Sequence, residues 1–404
     1  MLVVTFLLIG TTVYGVRFSF GVFFKSIEGE FELTRAVTSA VFSVQMLLSC
    51  LFAFLGGWAL DKYGPRIVTL LMGLLTGLSL LLTSQANSSW QLFITYSLLL
   101  SAGTSAVYVV IVSTVSRWFS KNRGFALGIA TSGAGLGIVI MAPVAAYLIT
   151  DFSWRIAYIV LGLIAWLVVL PLSMLLRQDP REVGALPDGT TSASEEMDRQ
   201  EPENEEASSQ LTYLSLPQAL KTRSFWCFGA MWLLFGSGVY LVLTHIVPCA
   251  TDTGISSGEA ATILSVIGGA GIVGRVLMGS TSDKLGRKLT VIICSLLQVG
   301  AMLWLIWAQA LWMFYLFALV YGFARGGLTT TIGALIGDTF GLYKIGVILG
   351  LLEIGWGIGA TIGPVLGGVI FDVSSDYSIA FLIGAAAMLV ATLLVVPVGR
   401  ETTH

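Results

Sequence analysis

Charged side chains are scarce in this sequence. They make up 11% of the 404 residues, and hydrophobic residues make up 56%, whereas a soluble domain carries about 25% charged residues. With a mean hydropathy of +0.88, the chain has too little polar surface to cover a soluble fold, so lipid must cover part of it. The net charge of −2 gives no support to nucleic-acid binding.

Histidine and cysteine are also rare. The two histidines are His245 and His404, and the four cysteines all fall in apolar runs without the spacing of metal ligands: Cys50, Cys227, Cys249 and Cys294. We therefore expect no metal centre and no cofactor, and we expect the cysteines to be small buried hydrophobes. No nucleophile with a nearby base stands out, so the sequence favours a protein that is not an enzyme.

A cleavable leader is missing as well. Met1 leads straight into LVVTFLLIGTTVYGV without a basic segment or a small-residue cleavage site, so we interpret the first apolar run as a permanent span. A span needs about 20 apolar residues, and only helices can supply many of them in one chain like this. The sequence predicts an all-α integral membrane protein with twelve transmembrane helices, roughly at 2–24, 36–59, 67–84, 91–116, 123–148, 153–176, 224–249, 257–280, 289–308, 311–336, 345–370 and 379–398.

One long polar segment separates the sixth and seventh predicted spans. Between Asp179 and Glu206 it carries ten acidic residues and no aromatic residue, a composition typical of a disordered linker. Near its end, Ser215 can cap a short amphipathic helix with Pro217 in the first turn. The sequence thus predicts an N-terminal six-helix half at 1–177, an acidic cytoplasmic linker at 178–222 and a C-terminal six-helix half at 223–404.

Lysine and arginine are distributed unevenly between the predicted loops. With the N-terminus inside, 15 of the 21 basic residues fall in inner loops and tails, three fall in outer loops and three lie within spans. Because basic residues are enriched on the cytoplasmic side, this distribution predicts a multi-pass protein of the cytoplasmic (inner) membrane. Both termini are expected to be cytoplasmic, and we expect a monomer.

The two halves share a sequence repeat. GGWALDKYGPR follows the second span and GSTSDKLGRK follows the eighth, which places Asp61 and Asp283 222 positions apart (283 − 61). Parallel six-span repeats recur in membrane transporters, with the substrate site between them. The same offset aligns four glycines of LGIATSGAGLG in span five with four of LGLLEIGWGIG in span eleven: Gly128 with Gly350, Gly133 with Gly355, Gly135 with Gly357 and Gly137 with Gly359.

The repeated loop resembles the signature of the major facilitator superfamily. In that family the loop aspartate pairs with basic residues at the cytoplasmic ends of neighbouring helices and gates conformational change. This resemblance implies a gating role for five residues of this sequence, which match the motif: Asp61, Arg66, Asp283, Arg287 and Lys288.

Two further stretches are similar to a narrower group, the monocarboxylate transporters and their bacterial relatives, including oxalate–formate exchangers. They are RWFSKNRGFALGIATSGAGLG and, after span one, GVFFKSIEGEF. In that group an arginine of span eight binds the substrate carboxylate, and Arg275 stands in the corresponding place. The sequence departs from the group in two ways: the acidic-Gly motif at the start of span one is missing, and the aspartate one turn before the arginine is replaced by Gly271. The proton chemistry of those relatives is therefore not carried over on this resemblance.

Four charged residues lie well inside predicted spans, away from the span ends: Arg17, Arg275, Arg325 and Glu353. A charge at mid-bilayer costs about 2.5–3.5 kcal/mol, so these side chains must face a wet cavity or an opposite charge. Three positive charges and one negative charge suit an anionic ligand. The Arg275 fork can bind a carboxylate through two hydrogen bonds, and the alternative is a brace to backbone carbonyls.

The roles of the other charged groups stay open at this point. Arg325 is either a second substrate contact or the ion-pair partner of Glu353. Arg17, with Tyr14 on the same helix face, either lines the cavity or reaches to the outer surface. Glu353 either loads and releases a proton or permanently pairs with an arginine. His245 is either a polar residue near the membrane interface or part of a gate or proton relay.

These observations predict a secondary transporter that moves a small monocarboxylate such as lactate or pyruvate by alternating access, together with a proton. The expected partners are a small organic anion, a proton and the lipid bilayer. The first alternative is an exchanger of dicarboxylates or of oxalate and formate, because Arg325 and Arg17 add positive charge. An alternative of another class is a transporter-like sensor without flux.

Overall fold

The computed structural model describes residues 1–33, 35–180, 216–342, 344–374 and 376–398. This part of the chain is helical and contains no β-strand. Most of the predicted acidic linker, 181–215, lies outside the described residues, and the two-domain boundaries around it stay a prediction. A short helix at Leu216–Ala219 precedes the seventh span.

The helices form twelve membrane spans, which are numbered here in chain order. The first half contains span 1 (Leu2–Phe18 and Phe20–Glu30), spans 2 and 3 (Arg35–Ser84), span 4 (Ser89–Leu92, the π-helical Phe93–Leu99, Leu100–Thr104 and Val107–Trp118), span 5 (Arg123–Thr131 and Gly133–Asp151) and span 6 (Trp154–Met174). The second half contains span 7 (Arg223–Asp252), span 8 (Ser257–Leu285), span 9 (Arg287–Leu305), span 10 (Leu311–Phe340), span 11 (Ile345–Ser374) and span 12 (Ser378–Val395).

Spans 2 and 3 are two helices within Arg35–Ser84 that meet at a sharp kink and fold back on each other, so eleven apolar segments make twelve crossings. The turn is at Gly64, whose φ of 79° and ψ of 168° are not helical, followed by Pro65. In span 4, the Ser97 hydroxyl donates to the Val41 carbonyl of one arm (2.6 Å). The Gly103 carbonyl of span 4 accepts from Thr76 of the other arm (3.1 Å). On a straight helix, Val41 and Thr76 would be about 50 Å apart, so both arms must lie beside span 4.

Two close seams join the halves, span 2 against span 11 and span 5 against span 8. A methyl group on Gly57 would lie 2.1 Å from the carbonyl oxygen of Gly346, and one on Gly124 would lie 2.2 Å from that of Gly279. Both seams therefore require glycine, because only a residue without a side chain allows backbones so near each other. The two pairs are related by the same 222-residue offset as the sequence motifs, so the repeat is also a repeat of packing.

Candidate functional site

Arg275 lies at the seam between spans 5 and 8, with only 6% of its surface exposed. The Arg275 backbone packs directly on Gly128 of span 5: a methyl group added to Gly128 would lie 2.4 Å from the Arg275 carbonyl oxygen. This contact holds the Arg275 backbone against the first half. Nη1 of the guanidinium is buried and has no hydrogen-bond partner. The described residues show no hydrogen bond from this side chain to a backbone carbonyl, so the brace that the sequence left open is not what the structure shows.

Arg325 of span 10 lies beside Arg275, and the two side chains meet at Gly271. A methyl group on Gly271 would be 3.6 Å from Arg275 Nη1 and 4.0 Å from Arg325 Nη2. These two nitrogens are therefore at most 7.6 Å apart, the sum of the two distances. Two guanidinium groups at this spacing can both donate hydrogen bonds to one carboxylate.

Glu353 does not pair with Arg325, although their spans follow each other in sequence. Among the described residues, its carboxylate accepts a hydrogen bond from the Trp232 indole nitrogen of span 7 (3.1 Å), and Arg17 supplies the positive charge that acts on it. Span 11 packs mainly against spans 7 and 2 and only slightly against span 10. The Arg325–Glu353 pair, one of the two hypotheses for these residues, is therefore absent.

Arg17 is turned toward the interior of the bundle. Its Nη2 donates to the Met46 sulfur of span 2 at 3.0 Å, and its guanidinium lies 5.9 Å from the Phe18 ring centre. Tyr14 stacks on the same Phe18 ring at 6.1 Å. The charges of Glu353, Arg17 and Arg275 all act on Tyr14, so Tyr14 belongs to the same charged site.

A row of aromatic rings, which was not predicted from the sequence, contains Trp232, the hydrogen-bond donor to Glu353. Ring centres are 6.1 Å apart for Tyr108 and Trp232, 5.4 Å for Trp232 and Trp356, and 6.3 Å for Trp356 and Tyr240. Trp232 and Tyr240 are eight residues apart and therefore share a face of span 7, which is the sequence signal that could have revealed them. The planes of successive rings are inclined by 37°, 50° and 73°, so the row presents both faces and edges of the rings.

The two motif aspartates cap helices of the opposite half. Asp61 accepts hydrogen bonds from the backbone N–H groups of Gly346 (3.2 Å) and Val347 (2.8 Å) at the start of span 11. By the same 222-residue offset, Asp283 accepts from Gly124 and Phe125 at the start of span 5, both at 2.9 Å. A carboxylate at a helix N-terminus satisfies free N–H groups and the helix dipole, so each aspartate ties the halves together. We call this end of the bundle the motif face.

Ion pairs add to these caps at the motif face. Arg123 of the first half pairs with Asp338 of the second half, and Arg287 contacts both Asp338 (3.4 Å) and Asp283. Arg117 pairs with Asp61 at 3.4 Å. A gating role was not predicted for Arg117, Arg123 or Asp338, although the two arginines begin and end the RWFSKNR stretch before span 5.

Two of the predicted gating residues make no contact between the halves in the described part of the chain. Arg66 is exposed and has no ion pair there. Lys288 donates from Nζ to the carbonyls of Val396 and Val398, at the end of span 12 in its own half. Their roles in gating stay predictions.

His245 lies at the far end of span 7, away from the motif face, and is nearly buried. Its Nε2 is 2.9 Å from the Pro364 carbonyl of span 11, and because a carbonyl can only accept, Nε2 carries the hydrogen. The imidazole also packs against the Tyr377 ring at 5.2 Å. These contacts give His245 a structural partner, and a proton-relay role stays a prediction.

Near the charged groups, two polar contacts join the first half to span 10. The hydroxyls of Thr131 and Thr330 are 3.1 Å apart, and the Tyr108 hydroxyl donates to the Thr329 carbonyl at 2.9 Å. Each contact joins a span of the first half to span 10. The charged site therefore lies between two helical halves that meet at one face, which is the arrangement of a membrane transporter.

Comparison with known proteins agrees with this architecture. The family model of the Major Facilitator Superfamily matches residues 6–249 and 227–404, so the chain belongs to the Major Facilitator Superfamily. In structure, the chain is similar to the human organic anion transporter MFSD10, with a TM-score of 0.71 at 17% identity over 98% of this chain and 99% of that one. It is also similar to the proton:xylose symporter XylE, with a TM-score of 0.77 at 14% identity over 97% of this chain and 94% of that one.

Among sequence relatives, monocarboxylate transporter 13 of Bos taurus is 28% identical over 393 residues, which cover 93% of this chain and 84% of that protein. Monocarboxylate transporter 12 of Homo sapiens is 26% identical over 392 residues, which cover 92% of this chain and 75% of that protein. The resemblance to the monocarboxylate transporter family that the sequence indicated is confirmed.

Proposed function

We propose that the protein transports a small monocarboxylate across the cytoplasmic membrane by alternating access. The observation that carries this proposal is the buried Arg275 guanidinium, which has an unpartnered nitrogen and lies beside a second guanidinium, that of Arg325. Such a pair stabilises a carboxylate by charge-assisted hydrogen bonds. The names of the relatives, monocarboxylate transporters 12 and 13, agree with this chemistry.

A proton moves with the anion in this proposal. A lone anion entering an inside-negative cell works against about 2.3 kcal/mol per 100 mV, and a proton that accompanies it cancels the charge. Glu353 is the proton carrier proposed here because it is an acidic side chain well inside span 11, where the charge of Arg17 acts on it. Its carboxylate faces the aromatic row through Trp232, next to the site rather than at the gate.

The motif face is the cytoplasmic side in this proposal, since the basic loops lie there. The aspartate caps and the Arg123–Asp338 pair then hold the inner gate shut, which corresponds to a carrier open to the outside. Loss of these contacts would allow the site to open inward. The working unit proposed here is the monomer.

The second candidate function is exchange of dicarboxylates or of oxalate and formate. The observation that favours it is the third guanidinium, Arg17, which hydrogen-bonds to Met46 sulfur rather than to an acid. A ligand with a second carboxylate could extend from the Arg275–Arg325 pair toward Arg17. In that case oxalate or succinate, rather than lactate, would be the better substrate.

Uptake by purified protein in proteoliposomes tests the proposal. We expect labelled L-lactate to accumulate when the outside is more acidic than the inside. Glu353→Gln should keep lactate exchange between the two sides but lose accumulation driven by the pH gradient, because glutamine cannot carry a proton. Glu32→Gln, which changes an exposed acid, is the matched control and should behave like the wild type. Exchange of oxalate or succinate without lactate uptake would favour the second candidate, and no flux of any anion would favour a sensor.

The proposed gate can be tested separately, at the Asp283 cap of span 5. Asp283→Asn keeps the shape of the side chain but weakens its bonds to the Gly124 and Phe125 amides and to Arg287. We expect the population to shift toward the state that is open at the motif face, because charged hydrogen bonds are about twice as strong as neutral ones. Alkylation of a reporter cysteine on each face measures the shift, with Asp151→Asn at an exposed acid as the control. Equal alkylation of both reporters in Asp283→Asn and wild type would contradict the gating role.

A further inference from the structure

The Arg275–Arg325 pair brings two like charges together inside the membrane-spanning bundle. Their nearest measured nitrogens are at most 7.6 Å apart, the sum of 3.6 and 4.0 Å. Among the described residues, neither guanidinium forms an ion pair. Arg275 is 6% exposed with Nη1 unpartnered, and the Nε of Arg325 is also buried without a partner. Repulsion between them in a low-dielectric setting costs free energy that a bound anion would remove.

Gly271 provides the space for such an anion. It is one helical turn before Arg275 on the same face of span 8, and both guanidinium groups approach the position that its side chain would occupy. The remaining neighbour there is the Gly322 carbonyl, 3.4 Å from that position. An anion that accepts one hydrogen bond of about 3 Å from each guanidinium fits between nitrogens of this spacing after a small side-chain movement.

We infer that Arg275, Arg325 and the gap at Gly271 form a binding site for a small monovalent inorganic anion, with chloride as the ligand, that occupies the site when no organic anion is bound. We name a single-atom anion because the two guanidinium nitrogens are at most 7.6 Å apart, the sum of 3.6 and 4.0 Å, so that one acceptor atom can reach both. The inference rests on the same arginine pair as the proposed function, but it does not depend on lactate flux. Chloride and a carboxylate need the same donors, so they must compete.

Thermal unfolding of the purified full-length protein in detergent tests the site. The salt is sodium chloride in one series and sodium methanesulfonate, a weakly binding salt whose anion carries no carboxylate, in the other at equal ionic strength. We expect chloride to raise the Tm saturably by about 2–4 °C, because a ligand that binds only the folded state stabilises it. The rise should disappear in Arg325→Gln and persist in Lys284→Gln, which removes the same charge from an exposed position.

A second variant tests the site without removing either arginine, by adding a carboxylate at the gap. In Gly271→Asp the side chain should lie between the two guanidinium groups and take the place of chloride. We expect its Tm in methanesulfonate to exceed that of the wild type and to be unaffected by chloride.

Any one of three results would overturn the inference. They are an equal wild-type Tm in chloride and methanesulfonate, a chloride effect of undiminished size in Arg325→Gln, and a chloride effect of undiminished size in Gly271→Asp. Lactate added to the wild type should suppress the chloride effect if both the inference and the proposed function hold. A chloride effect that lactate leaves unchanged, together with no lactate uptake, would reject the proposed function and keep the anion site.

Discussion

Replacing Arg275 by lysine should remove most transport while leaving the protein folded. Lysine keeps the positive charge of the side chain but replaces the planar fork of donors by a single ammonium group, which cannot form two parallel hydrogen bonds with one carboxylate. The nitrogen that the change removes is buried beside Arg325, so water cannot easily replace it as a donor. We expect initial uptake to fall about 10- to 100-fold, since a hydrogen bond to a charged group contributes about 1.5–3 kcal/mol.

The measurement is initial uptake of labelled L-lactate into proteoliposomes, at matched amounts of protein with matched Tm. Arg223→Lys is the control, because Arg223 is exposed at the start of span 7 and the change in chemistry is the same. Uptake by Arg275→Lys at the rate of Arg223→Lys would remove Arg275 from the site. A drop in uptake accompanied by a lower Tm would instead indicate a packing role at the seam with Gly128.

The fold could be predicted from the sequence because the lipid environment restricts what a membrane span can be. Spans must be apolar and helical, and the 222-residue repeat places Asp61 and Asp283 at equivalent positions. The structure repeats that relation in backbone contacts, with Asp61 on Gly346 and Val347 and Asp283 on Gly124 and Phe125. The motif glycines were predictable for the same reason, since each close seam requires them.

The partners within the site could not be predicted from the sequence, because helices that are consecutive in the chain need not pack together. Glu353 and Arg325 lie on consecutive spans, yet Glu353 faces Trp232 and the charge of Arg17. Arg325 instead lies beside Arg275 at the gap left by Gly271. The apolar spans in the sequence show which residues lie inside the membrane. The rotation of each helix about its axis and its packing neighbours determine which of these residues are in contact.

The structure links the gate to the site through one seam. At the motif face Asp283 caps span 5 at Gly124, and Gly124 also packs on Gly279, one turn before Asp283 in span 8. One turn deeper, Gly128 packs on the carbonyl of Arg275. Movement of span 5 away from span 8 would therefore release the cap and shift the backbone that carries the proposed substrate anchor. Because close-packed seams have few intermediate arrangements, gate opening and displacement of Arg275 should occur together.

Gly124→Ala tests this link with the smallest possible change. The added methyl group would lie 2.2 Å from the carbonyl oxygen of Gly279 and 2.5 Å from the Ser282 hydroxyl, and the Gly279 backbone cannot yield unless the seam opens. Overpacking of this kind costs about 1–3 kcal/mol, and the cost applies only while the motif face is closed. We expect the ratio of motif-face-open to closed protein to rise about 5- to 100-fold.

Alkylation of reporter cysteines on the two faces measures this ratio, and Gly300→Ala is the control, because a methyl group there would meet no atom within 4 Å. Alanine is a better helix former than glycine by about 0.5–1 kcal/mol, so the control should be neutral or slightly more stable. Gly346→Ala at the equivalent seam, where the methyl group would lie 2.7 Å from the Gly57 carbonyl oxygen, should shift the population in the same direction. If Gly124→Ala and Gly346→Ala both matched Gly300→Ala in reporter alkylation, the seams would not be the moving contacts, and the gate would have to open elsewhere.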